Sequence, residues 1–146
     1  MSCLSLGLVF AFIVAERDLG ASLQDQIQIE LQKQGQIIQS SLGPLSQYND
    51  LNSLKDETDV FAEASRSRVT LIDSYGVVIS DSNIDVDDLD LIDNHSNRPE
   101  IIDAQNNGMG WSRRFSDTVQ QEMLYFAILD ASAGQQGVIR LAVPYN

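Results

Sequence analysis

Apolar and polar positions divide the start of the chain into two stretches. Residues 4–15 are apolar and uncharged, whereas Glu16–Leu42 is polar with apolar residues at steps of four or seven. The first stretch is shorter than the roughly 20 residues that cross about 30 Å of hydrocarbon, and it lacks the basic start of a secretory signal. We interpret it as the end of a transmembrane helix or as a buried core helix, and this pattern leaves both open.

Glu16–Leu42 predicts one long helix, because it contains no proline and its apolar positions form one stripe. The stripe consists of Leu19, Leu23, Ile27, Leu31, Ile38 and Leu42. It is narrow, and glutamines occupy much of the remaining surface. We expect part of the helix to cover a sheet and the rest to pair with a second copy of the chain. An ordinary amphipathic helix in a monomer is the alternative.

Two shorter patterns follow the long helix. After a polar connection over Leu45–Lys55, Asp56–Ser67 predicts a second helix with Thr58 as its cap. The period then changes from that of a helix to that of strands. Arg68–Asp73 and Val77–Ser80 are rich in β-forming residues and flank a turn that ends in glycine, which predicts a β-hairpin.

The segment from Asp81 to Asp93 carries six aspartates. Asp81, Asn83 and Asp85 fit the first three ligand positions of an EF-hand calcium loop. That hypothesis fails because Val86 stands where the loop needs glycine and Ile92 where it needs glutamate. A looser site for a divalent cation or a cationic ligand remains the alternative to a solvated loop with a short helical turn. The residues expected to anchor that loop are Ile84, Val86, Leu89, Leu91 and Ile92.

The next segment, Asn94–Glu100, contains the single histidine of the chain, His95. We expect it to start a helix that runs to Asn107, with Asn97 as the cap and Pro99 in the first turn. Glu100 would then face the positive end of the helix dipole. Ile101 and Ile102 are expected to be buried. The Asn, His and Arg side chains before this helix predict either a capped corner or the floor of a ligand site.

Three further strands are predicted over Gly110–Ser116, Glu122–Leu129 and Gly137–Val143. Together with the hairpin they predict an α+β fold: a five-stranded antiparallel sheet with the long helix on one face. The helical excursion Ile84–Asn107 is expected on the other face. Alternation along the third strand places Trp111 on one face of the sheet and Arg114 on the other.

Composition and charge exclude several classes of function. The chain has 146 residues, a hydrophobic fraction of 43% and a net charge of −12, which fits one acidic globular domain. This charge disfavours binding to nucleic acid and to anionic lipid. One cysteine and one histidine make a disulfide framework or a zinc site improbable. Because the chain also lacks a nucleophile elbow and a phosphate loop, we predict no cofactor, no metal site and no catalysis in this segment.

The run Asn94-His95-x-Asn97-Arg98-Pro99-Glu100 resembles a motif of the extracytoplasmic sensor domain of PhoR-type sensor histidine kinases. The flanks fit the same pattern, with Arg68-Val-Thr-Leu-Ile-Asp73 before it and Ser112-Arg-Arg114-Phe-Ser-Asp-Thr118 after it. The resemblance extends over roughly residues 16–144. It implies a PAS-like (single Cache, or PDC) sheet domain that lies outside the membrane, and it does not imply a particular ligand.

The resemblance also implies how the domain would work. Residues 1–15 would be the end of a transmembrane helix, and residues 16–146 a periplasmic or extracellular sensor domain of a bacterial membrane protein. A signal received by the domain would shift the long helix within a homodimer. That shift would change the balance between two states of a protein-histidine kinase in the remainder of the protein. Other possibilities are the sensor of a chemoreceptor or nucleotide cyclase, and a free-standing soluble ligand-binding module.

A candidate ligand site is expected between the sheet and the excursion. Its polar contacts would come from His95, Arg98 and Arg114, with Tyr125 and Trp111 as aromatic walls. These cationic groups favour a small anion such as a carboxylate or phosphate. The alternatives are that the arginines only pair with neighbouring aspartates, or that a partner protein supplies the signal.

Overall fold

The computed structural model describes residues 3–43, 50–117, 119–130 and 137–145. Contacts divide the chain into two compact units, residues 1–32 and 33–146. The helices are α1 (Cys3–Ser41), α2 (Leu51–Ser65), a 3-10 helix (Val86–Leu91) and α3 (Pro99–Asn107). The strands are β1 (Arg68–Ile72), β2 (Val78–Asp81), β3 (Met109–Ser116), β4 (Gln121–Asp130) and β5 (Gly137–Pro144).

The first unit holds the larger part of α1. The helices predicted over residues 4–15 and Glu16–Leu42 therefore form one helix, which begins at Cys3 and ends at Ser41. Leu19 and Leu23 of the apolar stripe are exposed. Among the residues described, no helix combines the length and the apolarity needed to cross a membrane.

The second unit is built on the predicted five-stranded antiparallel sheet, with strand order β2-β1-β5-β4-β3. The last strand, β5, lies between β1 and β4. Its register pairs Arg140 with Thr70 of β1 on one side and with Ala127 of β4 on the other. The α+β fold class expected from the sequence is thus confirmed. Because paired residues point to the same face, this register decides which polar side chains meet.

The end of α1 and helix α2 cover one face of the sheet. A Cβ added at Gly35 would lie 2.5 Å from the Phe126 ring, and the Gln39 side-chain amide donates a hydrogen bond of 2.6 Å to the Leu129 carbonyl. Helix α2 contacts β1 and β2, where the buried Thr58 hydroxyl lies 2.8 Å from that of Ser80. The expected helical layer is therefore present on this face.

The start of α2 corrects the sequence prediction. The helix begins at Leu51, and Asp50 caps it by accepting a 2.8 Å hydrogen bond from the Ser53 backbone N–H. Thr58 is not the cap, because it lies inside the helix and donates to the Leu54 carbonyl. The remainder of the predicted connection, residues 45–49, lies outside the described residues.

The helical excursion covers the other face, as predicted. Its contact with the sheet is an apolar cluster that includes Ile72, Val138, Leu89, Ile101 and Ala104. The short helical turn expected in the acidic segment is the 3-10 helix. Two residues that were expected to be buried are exposed: Leu91, a predicted anchor of the acidic segment, is 78% exposed, and Ile102 of α3 is 42% exposed. Each lies on the outward side of a short helix, which can bury only one stripe.

The start of α3 also differs from the expectation. Arg98 is the N-cap residue and makes no side-chain capping bond, so Asn97 does not cap the helix. Pro99 occupies the first turn as predicted. Glu100 does lie in that turn, but its side chain is fully buried. The partners of the Glu100 carboxylate are therefore side chains of the sheet in addition to the N-terminus of α3.

Candidate functional site

A cavity of about 370 Å³ lies between the sheet and the excursion. Its lining includes four arginines: Arg68, Arg98, Arg114 and Arg140. His95 and Tyr125 lie beside them, and the exposed Asp93 and Asp117 also contribute. Four of the five residues predicted for the site, namely His95, Arg98, Arg114 and Tyr125, therefore line one cavity.

The structure does not bring Trp111 to this cavity. Its ring packs against Phe126, with 4.4 Å between ring centroids. Trp111 pairs with Phe126 and Ser112 pairs with Tyr125 across β3 and β4. Because successive strand residues point to opposite faces, Trp111 lies on the face covered by α1 and α2. The predicted role of Trp111 as a wall of the site is thus corrected.

Glu100 is the anchor of the arginines on the sheet. Arg114 donates two hydrogen bonds to its carboxylate, at 2.8 and 3.0 Å, and Ser112 donates a third at 2.6 Å. Arg140 approaches the same carboxylate at 3.6 Å. Burial by itself would raise the pKa of Glu100, but the hydrogen bonds from Arg114 and Ser112 hold that pKa below its ordinary value. Glu100 is therefore a buried anion.

A second buried carboxylate, Asp81, holds the neighbouring polar groups. Arg68 donates to it at 2.9 and 3.1 Å, and the Thr70 hydroxyl donates at 2.7 Å. Arg140 in turn donates to Thr70 at 3.1 Å. Burial lowers the pKa of Arg140 to about 10, so it remains a cation at pH 7. Arg140 was not among the predicted site residues, although a lone charge within an apolar strand was a usable signal.

Two of the arginines that line the cavity, Arg98 and Arg140, have a donor without a partner in the described part of the chain. The Nε atoms of Arg98 and Arg140 are buried and have no hydrogen-bond partner among the residues described. Arg140 is itself only 4% exposed. A buried donor without a partner costs about 1–3 kcal/mol. Arg68 and Arg114 each donate hydrogen bonds to a carboxylate, whereas Arg140 only approaches one at 3.6 Å, so Arg98 and Arg140 are the groups best suited to receive an anion.

His95 contributes a neutral group to the site. It is 7% exposed, and burial, followed by the charge of Arg140, lowers the pKa of its ring to about 4. Its Nδ1 lies 2.7 Å from the Asp93 carbonyl oxygen. A carbonyl can only accept, so Nδ1 carries the proton and Nε2 remains an acceptor. His95 is therefore neutral at pH 7, and the cations of the site are its arginines.

Asn94 fixes the corner that carries His95. Its side chain donates to the Tyr75 carbonyl at 2.9 Å and accepts from the Ser96 backbone N–H at 2.8 Å. The His95 backbone N–H donates to the Gly76 carbonyl at 2.7 Å. The turn of the β1–β2 hairpin thus holds the motif segment against the sheet. Asn94 therefore holds this segment in place without capping α3, while His95 and Arg98 line the cavity.

We expect Gly76→Ala to destabilise the fold by about 1–3 kcal/mol, the usual range for overpacking. Gly76 has a φ of +85°, and an added Cβ would lie 2.5 Å from the Ser96 nitrogen and 2.6 Å from the Asn94 Oδ1 atom. Urea denaturation measures the change. Ser74→Ala in the same turn, at an exposed position, is the control and should be nearly neutral. Equal stability of the two variants would contradict the described corner.

No protein-family model matches the sequence, and no curated protein is similar to it. Solved structures do share the fold. The sensor domain of the V. cholerae histidine kinase DctB matches with a TM-score of 0.76 and 16% identity over 94% of this chain and 57% of that chain. The isoleucine-bound sensory domain of the Campylobacter jejuni chemoreceptor Tlp3 matches at 0.66 and 10% identity, over 87% and 56% respectively.

A third similar structure is an extracellular ligand binding receptor from Desulfohalobium retbaense DSM5692, with a TM-score of 0.67 and 11% identity. That match covers 86% of this chain and 24% of the receptor. The chain thus spans less than two thirds of each of these structures. At such identities the likeness shows the fold alone, and that fold is the PDC (Cache) fold.

Proposed function

We propose that this chain is the extracytoplasmic sensor domain of a membrane-bound, PhoR-type two-component histidine kinase and binds a small anionic ligand. The observation that carries the proposal is that Arg98 and Arg140, each with a buried Nε atom that has no partner among the described residues, line one cavity. The sensor fold supports it. In this proposal residues 1–15 continue a transmembrane helix, and catalysis belongs to a kinase elsewhere in the protein.

The two arginines come from different elements of the domain. Arg98 lies at the start of α3, whereas Arg140 lies in β5 of the sheet. An anion bound by both would draw the excursion towards the sheet. It can shift a conformational equilibrium only if its affinity differs between the two states. Ligand binding would therefore favour the state in which these two guanidinium groups are closest.

A route from the cavity to the long helix runs through β4. Tyr125 lines the cavity, and the next residue, Phe126, contacts Gly35 of α1 on the opposite face. The Arg114 guanidinium lies 3.7 Å from the centroid of the Tyr125 ring, which couples the cation cluster to this strand. In the proposed homodimer, displacement of α1 would be the output, and exposed Leu19 and Leu23 would contribute to the pairing of the helices.

The second candidate is the sensor of a chemoreceptor, because the Tlp3 sensory domain has a similar fold. A nucleotide cyclase sensor, a free-standing binding module and a domain that responds to a partner protein are further outcomes. The coding sequence of the whole protein separates these from the kinase. A second membrane span followed by a histidine-containing helix pair and an ATP-binding domain would support the kinase.

We expect Arg98→Met to weaken anion binding about 10-fold to 100-fold, because hydrogen bonds to charged groups contribute roughly 1.5–3 kcal/mol. Acetate, lactate, succinate and phosphate are titrated into the full chain, and binding is followed by NMR chemical shifts. Methionine keeps most of the volume of the arginine stem, so the fold should persist.

The matched control is Arg113→Met, which removes an exposed arginine that is paired with Glu122 and does not line the cavity. It should leave the affinities unchanged. The proposed ligand class would be overturned if none of the four anions binds, or if wild type and Arg98→Met bind them with equal affinity.

A further inference from the structure

A second cavity, of about 460 Å³, adjoins the arginine-lined cavity. Arg68, Ser116 and Tyr125 line both. Each of these three residues therefore borders both cavities. Ligand sites in proteins commonly measure about 300–1,000 Å³, so a compact acid held at Arg98 and Arg140 would occupy only one end of the available space.

The second cavity has the chemistry of a hydrogen-bonding surface. Hydroxyl and amide side chains in its lining are Ser67, Ser82, Asn83, Ser116 and Gln121. Ser116 and Gln121 make no side-chain hydrogen bond to any other described residue, and they pair across β3 and β4. Such groups both donate and accept, which matches a ligand that carries several neutral polar groups.

Apolar and aromatic groups form another part of the same cavity. Met123, Tyr125 and Ala142 pack together as one buried cluster, and all three line it. The C–H faces of a sugar are apolar while its hydroxyls are polar, so a sugar can use both kinds of wall. An aliphatic tail would leave the hydroxyl and amide groups unpaired, which costs free energy.

The charged side chains in the lining of the second cavity are those of Asp59, Arg66 and Arg68. Asp59 and Arg66 are opposite in sign, and the Asp59 carboxylate is held by Lys55 at 2.6 Å. Arg68, which borders both cavities, is already paired with Asp81. Arg66 is exposed and forms no ion pair with a described residue, whereas the two cations that have a buried donor without a partner, Arg98 and Arg140, lie at the far end.

We propose that the ligand is a sugar acid, whose carboxylate binds Arg98 and Arg140 and whose hydroxyl-bearing part passes Tyr125 into the second cavity. This inference rests on the proposed anion site and adds the class of its ligand. Ser116 and Gln121 are its predicted hydroxyl contacts. Tyr125 is the boundary residue that touches both parts of the ligand.

The test compares lactate, gluconate and lactobionate by calorimetric titration of the full chain. All three carry the same α-hydroxy acid head, and the hydroxyl-bearing tail lengthens along the series. We expect affinity to rise at least tenfold from lactate to lactobionate, because two net hydrogen bonds at about 1 kcal/mol each suffice for that factor.

Two variants of adjacent residues locate the tail. Gln121→Trp fills the second cavity and should abolish the gain along the series while lactate still binds. Glu122→Trp adds the same ring to the opposite face of β4, at a residue that does not line this cavity, and should keep the gain. The ion pair lost with Glu122 is exposed and contributes little to stability.

The possible results distinguish a failure of the sugar-acid inference from a failure of the proposed anion site. Equal affinities for the three acids would overturn the sugar-acid ligand, and Arg98-dependent binding of lactate would still support the anion site. A gain that survives Gln121→Trp would overturn the placement of the tail. Failure of all three acids to bind, while another anion binds through Arg98, would overturn the ligand class.

Discussion

Glu100→Gln is expected to destabilise the fold by about 3–5 kcal/mol, the range for removing one partner of a buried ion pair. Glu100 is fully buried and accepts two hydrogen bonds from Arg114. Glutamine has a similar shape but carries no charge, so Arg114 and Arg140 would lose their shared buried anion. Urea denaturation at pH 7 measures the change as a lower transition midpoint.

The pH dependence gives a second measurement of the same interaction. The pKa of Glu100 is lower in the folded chain than its ordinary value of 4.5. Its contribution to stability is therefore complete above pH 4.5 and is lost as the pH falls through the folded pKa. Glu100→Gln should remove this part of the acid-induced loss of stability, and the exposed Glu63→Gln should not. Identical acid profiles of the two variants would contradict a buried Glu100 anion.

Gly110→Ala is expected to destabilise the fold by about 3 kcal/mol, at the upper end for overpacking. An added Cβ would overlap the backbone carbonyl oxygen of Glu100 and would lie 2.8 Å from the Cβ of Asp103. A backbone atom cannot move aside as a flexible side chain can, so α3 would have to move away from β3. That movement would also pull Glu100 away from Arg114. Thermal unfolding and the NMR shifts of Arg114 report the two effects.

Gly20→Ala is the control variant for Gly110→Ala. No atom lies within 4 Å of a Cβ added at Gly20, and alanine favours a helix over glycine by up to about 1 kcal/mol. This variant should be neutral or slightly stabilising. If Gly110→Ala were equally well tolerated, then α3 and β3 would not be packed as closely as described.

Much of the fold was predictable because local patterns specify it. The glycine of the Ser-Tyr-Gly turn and the β-rich runs around it predicted the first hairpin, which has the expected antiparallel pairing. The α2 boundary failed for a local reason, because Asp50 and Thr58 are both suitable caps and only packing distinguishes them. Asp50 is free to cap, whereas Thr58 is buried against Ser80.

The candidate site was predictable in part for the same reason. Alternation placed Arg114 and Tyr125 by strand position, and the motif segment placed His95 and Arg98 beside a helix start. The same alternation placed Trp111 on the other face from Arg114, so including it as a wall of the site was inconsistent with its own strand. Its observed stacking on Phe126 follows from the pairing of those two residues.

The sequence by itself determined the helices, the strands and the faces that their side chains occupy, because periodicity and turn residues act within a few positions. Only the tertiary structure decided which charges meet. Placing β5 between β1 and β4 sets Arg140 beside Thr70 and near Glu100, although these residues are far apart along the chain. Among 21 acidic and nine basic residues many pairings are electrostatically acceptable, and strand register together with burial selects the few that form.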